Sequence, residues 1–261
     1  IGSGNAYTTG AILFSQTPAI MASETNLKMI VKKYSPWIEN KTIDGAIVIS
    51  ASGGKDSVWE IALAKKMGLK THLLTCNAES MGAKTADSFT LYRRLSEPYT
   101  FNVSTYLGMI LSQTKENPQK ILDFIQKLKT PKNIGKYQAY SFVIADQFEE
   151  VLTAINIKTR EMFGPFINFA SYTAGAARHA RYVSRNPKEL VISLGVDNKY
   201  FGDPKGRWNI KLPSGSDAAL IFCLSYYIIG LIQKQKPPYF KKNISRFCSD
   251  YGPKAFGKKE K

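Results

Sequence analysis

Residues 46–76 read AIVISASGGKDSVWEIALAKKMGLKTHLLTC, and they carry the clearest structural signal in the chain. Residues 46–50 are a short continuous apolar run, which is typical of a strand covered on both faces. From Ser57 to Met67 apolar residues recur at helical spacing, Gly68 ends this helix, and residues 71–76 predict the next strand. The stretch is therefore a strand–helix–strand unit with a glycine-rich turn between its first two elements.

Similar patterns extend outward in both directions from this unit. Upstream, apolar residues between 20 and 31 predict a helix. Downstream, the pattern predicts further strands at 88–92, 140–145, 190–195 and 207–212, and helices at 103–111, 118–128, 147–163 and 216–233, with a linker at 129–136. Strand, helix and strand thus recur in two halves, residues 1–130 and 131–261. This predicts an α/β fold with two doubly wound halves, mainly parallel sheets flanked by helices, and ligands at the carboxyl ends of the strands.

The composition is that of an ordinary globular protein, except for its charge. The 261 residues are 44% hydrophobic, and the formal net charge is +16, with 9 of the 36 cationic residues lying after Ile232. Such an excess favours nucleic acid, an anionic membrane face or a phosphorylated small molecule as a partner. Because the chain has no basic–aromatic repeat and no known nucleic-acid module, we predict that it does not bind nucleic acid.

The cysteines, the histidines and the apolar runs argue against a disulfide-bonded, metal-binding or membrane-spanning protein. Three cysteines without a CxxC pair, together with two histidines, predict neither a disulfide framework nor a metal site. The longest apolar run, 218–232, is too short for a membrane span and predicts a buried helix. No signal sequence opens the chain, which predicts a cytoplasmic protein. The opening Ile1-Gly-Ser-Gly4 resembles the end of a strand entering a turn, so we expect further residues upstream.

The turn at 51–57 has the composition of a phosphate-binding loop. Its glycines allow the backbone to turn at the start of a helix, where free N–H groups and the helix dipole favour an anion. Hydroxyl groups and one lysine lie in the same turn. The predicted phosphate-binding residues are Ser50, Ser52, Gly53, Gly54, Lys55 and Ser57.

Two families resemble this loop. The SIS (sugar isomerase) family has a phosphate loop S-x-S-G-x-T followed by a helix and a strand ending in Thr; Ser50, Ser52 and Gly53 match it, while Lys55 stands where the family has Thr. Residues 52–57, SGGKDS, are also identical to the S-G-G-x-D-S loop of PP-loop ATP pyrophosphatases. The local match to the second family is the better one.

The context of the loop favours the SIS family. Residues 2–10, GSGNAYTTG, resemble the SIS opening strand and turn, whereas the PP-loop normally follows the first strand of its domain. Residues 83–92 and 97–106 also resemble SIS segments. The resemblance adds Asn5, Glu97 and Ser104 to the predicted substrate-binding residues.

Three stretches of the second half resemble, in order, the isomerase domain of glucosamine-6-phosphate synthase, which has two SIS domains. They are residues 156–161 (K-x-x-E), 172–179 (YTAGAARH) and 225–246. The resemblance implies that Glu161 moves a proton between C1 and C2 of an open-chain sugar and that His179 opens the ring. It also implies that Lys158 belongs to the catalytic group and that Arg246 binds an anion.

The helical pattern supports the first of these roles independently. The apolar stripe of helix 147–163 continues to Lys158 and Met162, so Lys158 is predicted to face the interior with Glu161 beside it. The alternative is that Lys158 extends to solvent and that Glu161 is an exposed partner. His179, at a helix end, is predicted to lie beside the helix of Glu161.

Three departures from the family pattern leave the activity open. Ala176 replaces a glutamate, Glu161 is farther from His179 than in the family, and Arg246 replaces a lysine. Arginine cannot form a Schiff base, which an aldose–ketose isomerase does not need. We therefore expect a homodimeric enzyme without a cofactor that binds a phosphorylated sugar and isomerises it. A related hexosamine-phosphate isomerase or deaminase, a PP-loop ATP pyrophosphatase and a non-catalytic sugar-phosphate sensor are the alternatives.

Overall fold

The computed structural model describes residues 1–96, 103–180 and 185–251. Contacts divide the chain into two compact units, the first ending at Lys115 and the second beginning at Glu116. This boundary lies before residue 130, the predicted boundary between the two SIS-like halves. The division into two SIS-like domains stays a prediction.

The first unit has a parallel three-stranded sheet in the order β1-β2-β3. Its elements are α1 (Asn5–Leu13), α2 (Leu27–Lys33), α3 (Ser35–Glu39), β1 (Gly45–Ile49), α4 (Asp56–Lys66), β2 (Lys70–Thr75), α5 (Met81–Thr85), β3 (Ser88–Leu91) and α6 (Ser104–Thr114). Val48 and Leu73 are fully buried and pack with Ile61 of α4, as the apolar runs and the helical pattern require. The predicted strand–helix–strand unit is confirmed.

The second unit has a parallel four-stranded sheet in the order β5-β4-β6-β7. Its elements are α7 (Pro118–Gln126), β4 (Ala139–Ile144), α8 (Leu152–Phe163), β5 (Asn168–Thr173), α9 (Ala174–Ala180), β6 (Glu189–Leu194), β7 (Arg207–Ile210), α10 (Ala218–Lys234) and α11 (Tyr239–Tyr251). The predicted α/β class with parallel sheets flanked by helices is therefore confirmed.

Helices α8 and α9 cover opposite faces of this sheet. Phe169 of β5 stacks on Tyr140 of β4 and on Phe163 of α8, with ring centroids 5.0 and 4.7 Å away. Side chains alternate along a strand, so Val143 of β4 points to the other face. There it packs with Ala177 of α9.

Helix α10 is the buried helix that the apolar run predicts. Most of its side chains are buried, and it packs against α7 and α8. Asp217 caps its first turn, and the Glu116 carboxylate accepts the backbone N–H groups of Asp217, Ala219 and Leu220. Among the described residues, no single helix is long and apolar enough to cross a membrane; α10 and α11 meet that test only together, as a pair bent by 91°.

Several elements differ from the sequence prediction, and the helix predicted between 20 and 31 begins only at Leu27. Helix α1 begins at Asn5, directly after the Gly4 turn, where the predicted opening continued as a turn. The predicted helix 147–163 is a short 3-10 helix, Asp146–Val151, followed by α8, with a break at Phe148. Strand β5 was not predicted, because its sequence NFASYT is half polar and lies at the edge of the sheet.

Glu60 of α4 is a buried acid in the first unit. It is only 2% exposed, and its Oε1 atom has no hydrogen-bond partner among the described residues. Burial raises the pKa of Glu60 to about 7; the carboxylates of Asp56 and Glu24 add to this rise, and the amino group of Ile1 opposes it. The folded state therefore holds a proton on Glu60 at pH values where the unfolded chain has released it.

We expect the contribution of Glu60 to the free energy of unfolding to fall as pH rises from about 4.5 to 7, because the native state holds the proton on Glu60 in that range. Glu60→Gln cannot ionise, so between pH 5 and 8 it should gain about 2–3 kcal/mol over the parent protein. Urea denaturation at both pH values measures this, with the exposed Glu79→Gln as control. Equal pH dependence in parent and Glu60→Gln would contradict the assignment.

Candidate functional site

The predicted phosphate loop forms the turn between β1 and α4. Gly53 has a φ of +62°, and a Cβ atom there would lie 2.0 Å from Ser80 Oγ. The N–H of Gly82 donates to the Gly53 carbonyl at 2.8 Å. Only glycine fits at this position, and the segment leading into α5 supports the loop from behind.

The serines of the loop divide into two groups. Ser50 Oγ accepts the N–H of Gly53, and Ser57 Oγ donates to the Gly54 carbonyl at 2.8 Å, with Ser57 only 2% exposed. These two hydroxyls hold the shape of the loop. Ser52 is exposed, and the N–H of Gly54 donates to its Oγ at a long 3.4 Å. Ser52 is therefore the hydroxyl that a ligand can reach.

Lys55 joins the loop to α4 in an unusual backbone conformation. Its φ of 52° and ψ of −123° are rare for a residue with a side chain, and it precedes the first helical residue, Asp56. Such strain costs about 1–3 kcal/mol and is concentrated at functional sites. Lys55 is exposed at the amino end of α4, where a positive charge and the helix dipole both attract an anion.

Asn5 and Ser104 lie at the same end of this unit as the loop. Ile1 pairs with β1 in parallel, through bonds to Ile47 and Ile49, so the turn to Asn5 passes the carboxyl end of that strand. Ser104 begins α6, which packs against α1. The pairing of Ile1 thus places Asn5 beyond the carboxyl end of β1, the end at which the loop also begins. Glu97 lies outside the described residues.

Two further residues, Tyr106 and Cys76, meet the loop at the Ala51 backbone and were not predicted from the sequence. Burial raises the pKa of Tyr106, and its hydrogen bond to the backbone of Ala51 opposes this rise. The Cys76 thiol donates to the Ala51 carbonyl at 2.6 Å. Cys76 directly follows a strand, a position that faces ligands in parallel sheets; no comparable signal marks Tyr106.

Lys158 and Glu161 of α8 form the pair that the helical pattern predicts. Lys158 Nζ lies 2.6 Å from Glu161 Oε2, and the lysine side chain is 1% exposed while that of Glu161 is 29% exposed. The Lys158 ammonium also lies 5.7 Å from the ring centroid of Tyr226. The pair thus leaves a carboxylate that reaches solvent while it is held by a buried cation.

His179 is exposed on α9, so it lies on the opposite face of the sheet from Glu161. The expectation that it lies beside the Glu161 helix does not hold within this unit, because the chain crosses from one face to the other through β5. A sequence pattern places a helix after a strand but does not say which face it covers.

Asp146 anchors the helix that carries His179. Its carboxylate accepts the Gly175 N–H at 2.7 Å. This bond, together with one from Thr173, holds the pKa of Asp146 below its usual range. Asp146 was not predicted from the sequence, although an acid two residues after a strand is a recognisable signal.

Arg246 is exposed on α11, which packs against α8. The stacking of Phe166 and Tyr239, with ring centroids 4.4 Å apart, joins the start of α11 to the turn after α8. In the part of the chain that the structure describes, no group of three His, Cys, Asp or Glu residues is arranged to hold a metal ion.

No family model matches this chain, and no curated protein matches it. Solved structures do match its fold over most of its length. Tagatose-6-phosphate ketose/aldose isomerase from Escherichia coli superposes with a TM-score of 0.62 at 14% identity, covering 91% of this chain and 82% of that chain. Glucosamine-6-phosphate deaminase from Thermotoga maritima gives a TM-score of 0.53 at 14% identity, covering 89% and 83%.

The C-terminal domain of glucosamine-fructose-6-phosphate aminotransferase from Francisella tularensis gives a TM-score of 0.51 at 12% identity, covering 89% of this chain and 84% of that chain. At these identities the likeness establishes the fold. This chain therefore has the fold of proteins whose names describe isomerisation, deamination or amination of sugar phosphates.

Proposed function

We propose that this protein is a sugar-phosphate isomerase of the double-SIS type, in which the 50–57 loop binds the phosphate group. The observation that carries the proposal is the strained turn between β1 and α4. There Ser52 and Lys55 are exposed at the amino end of α4, as a phosphate site requires. The fold shared with isomerases and a deaminase of sugar phosphates supports the same ligand class.

Glu161 is the proposed base. Its carboxylate takes the proton from C2 of the open-chain aldose, which forms an enediolate with the negative charge on O1. The proton of the C2 hydroxyl passes to O1, and Glu161 returns its proton to C1, which leaves the carbonyl of the ketose at C2. The salt bridge to Lys158 holds the carboxylate in one orientation, which favours proton transfer from a bound carbon acid. His179 remains a candidate for ring opening, although the placement of α9 gives this role no support within the unit.

The alternatives have narrower support. Ala176 and Arg246, in place of a family glutamate and lysine, favour a sugar-phosphate sensor that binds without chemistry. The PP-loop ATP pyrophosphatase is supported only by the match of residues 52–57, SGGKDS, to the loop of that family. A deaminase would act on the same ligand class, so only its products distinguish it. The homodimer, the cytoplasmic location and the lack of nucleic-acid binding remain predictions.

A thermal-shift screen tests the ligand class. Hexose and hexosamine phosphates should raise the melting temperature of the full chain, following RT ln(1 + [L]/Kd), and ATP with magnesium should not. Stabilisation by ATP alone would support the pyrophosphatase and contradict the proposal.

Ser52→Ala should weaken sugar-phosphate binding by about 1.5–3 kcal/mol, because it removes a hydrogen bond to a charged group. Calorimetric titration measures the change. Ser15→Ala is the matched control, since Ser15 is also exposed in the first unit and, among the described residues, its hydroxyl bonds only to the Ile12 carbonyl. Unchanged affinity in Ser52→Ala would mean that the phosphate is held elsewhere.

A further inference from the structure

The order of strands in the second unit creates a crevice that the proposed function does not use. The chain leaves β4 toward β5 on one side and leaves β6 toward β7 on the other. The segments that follow β4 and β6 therefore diverge at the carboxyl ends of these neighbouring strands. Open parallel sheets bind ligands at such switch points.

A cavity of about 600 Å³ occupies this crevice, a size suited to a small-molecule ligand. Its walls come from the segments after β4, β6 and β7. Gly195, with a φ of +71°, brings two of these segments together, since a Cβ atom there would lie 2.7 Å from Leu212 Cδ1. The lining residues that matter here are Gln147, Phe148, Asp197, Asn209, Lys211 and Leu212.

The polar side chains of the cavity are available to a ligand. Within the described residues, neither Gln147 nor Lys211 has a side-chain hydrogen bond or ion pair. Asn209 uses its Nδ2 to donate to the Asn198 carbonyl at 3.1 Å, which leaves its Oδ1 as an acceptor. Asp197 pairs with Lys199 at 3.2 Å, but both side chains are mostly exposed, so the bridge is weak.

This set of groups specifies the chemistry of its ligand. One cation, Lys211, complements one anionic group, while the Asp197 carboxylate and the two side-chain amides suit hydroxyl groups. Phe148 and Leu212 supply apolar surface for the carbon skeleton. A single lysine is too little positive charge for a nucleoside triphosphate.

We infer that the second unit has its own ligand site in this cavity, which binds a small polyol carrying one anionic group, either a phosphate or a carboxylate. The site contains none of the residues proposed for catalysis. The 3-10 helix that carries Gln147 and Phe148 continues into α8 and thus to Lys158 and Glu161. An occupied cavity would accordingly contact the same continuous segment as the proposed base.

Calorimetric titration of the full chain with glucose 6-phosphate, 6-phosphogluconate and gluconate tests this inference. For at least one probe we expect a binding event that persists in Ser52→Ala, weakens at least tenfold in Lys211→Met and weakens severalfold in Gln147→Ala. Lys188→Met is the matched control, because Lys188 is exposed at the opposite, amino-terminal end of β6. The affinity of this variant for the probe should stay within twofold of that of the parent protein. The phosphate and carboxylate probes identify the anionic group.

Three results would overturn the inference. The first is that the parent protein binds none of the three probes, and the second is that Ser52→Ala abolishes all binding of them. The third is that the Lys211→Met isotherms superimpose on those of the parent. Binding that is insensitive to Ser52→Ala but lost in Lys211→Met would support the cavity even where the loop proposal fails, so the two ideas fail separately.

Discussion

Replacing Glu161 by Gln is expected to slow the exchange of the sugar C1 or C2 hydrogen with deuterated water by about 10²–10⁴-fold, the usual effect of losing a positioned general base. Gln keeps the shape of the side chain and an oxygen that can accept from Lys158 Nζ, now 2.6 Å from Glu161 Oε2. Substrate binding should therefore persist. Loss of exchange with retained affinity is the expected signature, measured by NMR of the sugar phosphate and by calorimetry.

The matched control is Glu149→Gln, which changes an exposed glutamate in the 3-10 helix before α8. It should exchange hydrogen at the parental rate. If the parent protein binds hexose phosphates without exchanging their C1 or C2 hydrogen, the protein is a sugar-phosphate sensor and not an isomerase. Exchange at equal rates in the parent and in Glu161→Gln would assign the base to another residue.

Glu161→Ala should lower the free energy of unfolding by about 2–4 kcal/mol, because it removes the carboxylate that forms a salt bridge with the buried ammonium of Lys158. Breaking a buried pair typically costs about 3–5 kcal/mol, and the 29% exposure of Glu161 reduces this value. The nearby Tyr226 ring offers only a partial substitute for the lost charge. Urea denaturation of the full chain measures the change.

The double variant Lys158→Met/Glu161→Ala separates charge from packing. Met fills most of the lysine volume without a charge, so the double variant should regain more than half of the stability lost in Glu161→Ala. Additive losses would mean that the two side chains contribute independently. The double variant should also stay inactive under the isomerase proposal, which distinguishes stability from chemistry.

Several features could be predicted from the sequence because local patterns determine them. The apolar run of β1 predicts a strand buried on both faces, and the patterns of β2, β4 and β6 predict strands. A longer apolar run predicts the buried helix α10. The pairing of Lys158 and Glu161 follows from helical periodicity, since residues three apart lie on one face of a helix. Each of these inferences depends only on neighbours along the chain.

Local sequence patterns could not predict an edge strand of mixed polar and apolar sequence. Strand β5 carries Asn168 and Ser171 among its apolar residues, and its pairing with β4 holds it in place. The burial of Glu60 is similar, because a glutamate on a helix is expected to face water, and only the surrounding packing places it at 2% exposure. In both cases contacts distant in sequence outweigh the local preference.

The loop at 50–57, the parallel α/β class and the facing Lys158–Glu161 pair were determined by the sequence itself, through glycine conformation and apolar periodicity. Only the tertiary structure decided that α8 and α9 cover opposite faces of one sheet and that a cavity opens between the ends of β4 and β6. The apolar periodicity of a helix determines which of its sides is buried. The order of the strands, which depends on long-range pairing, determines what that side contacts.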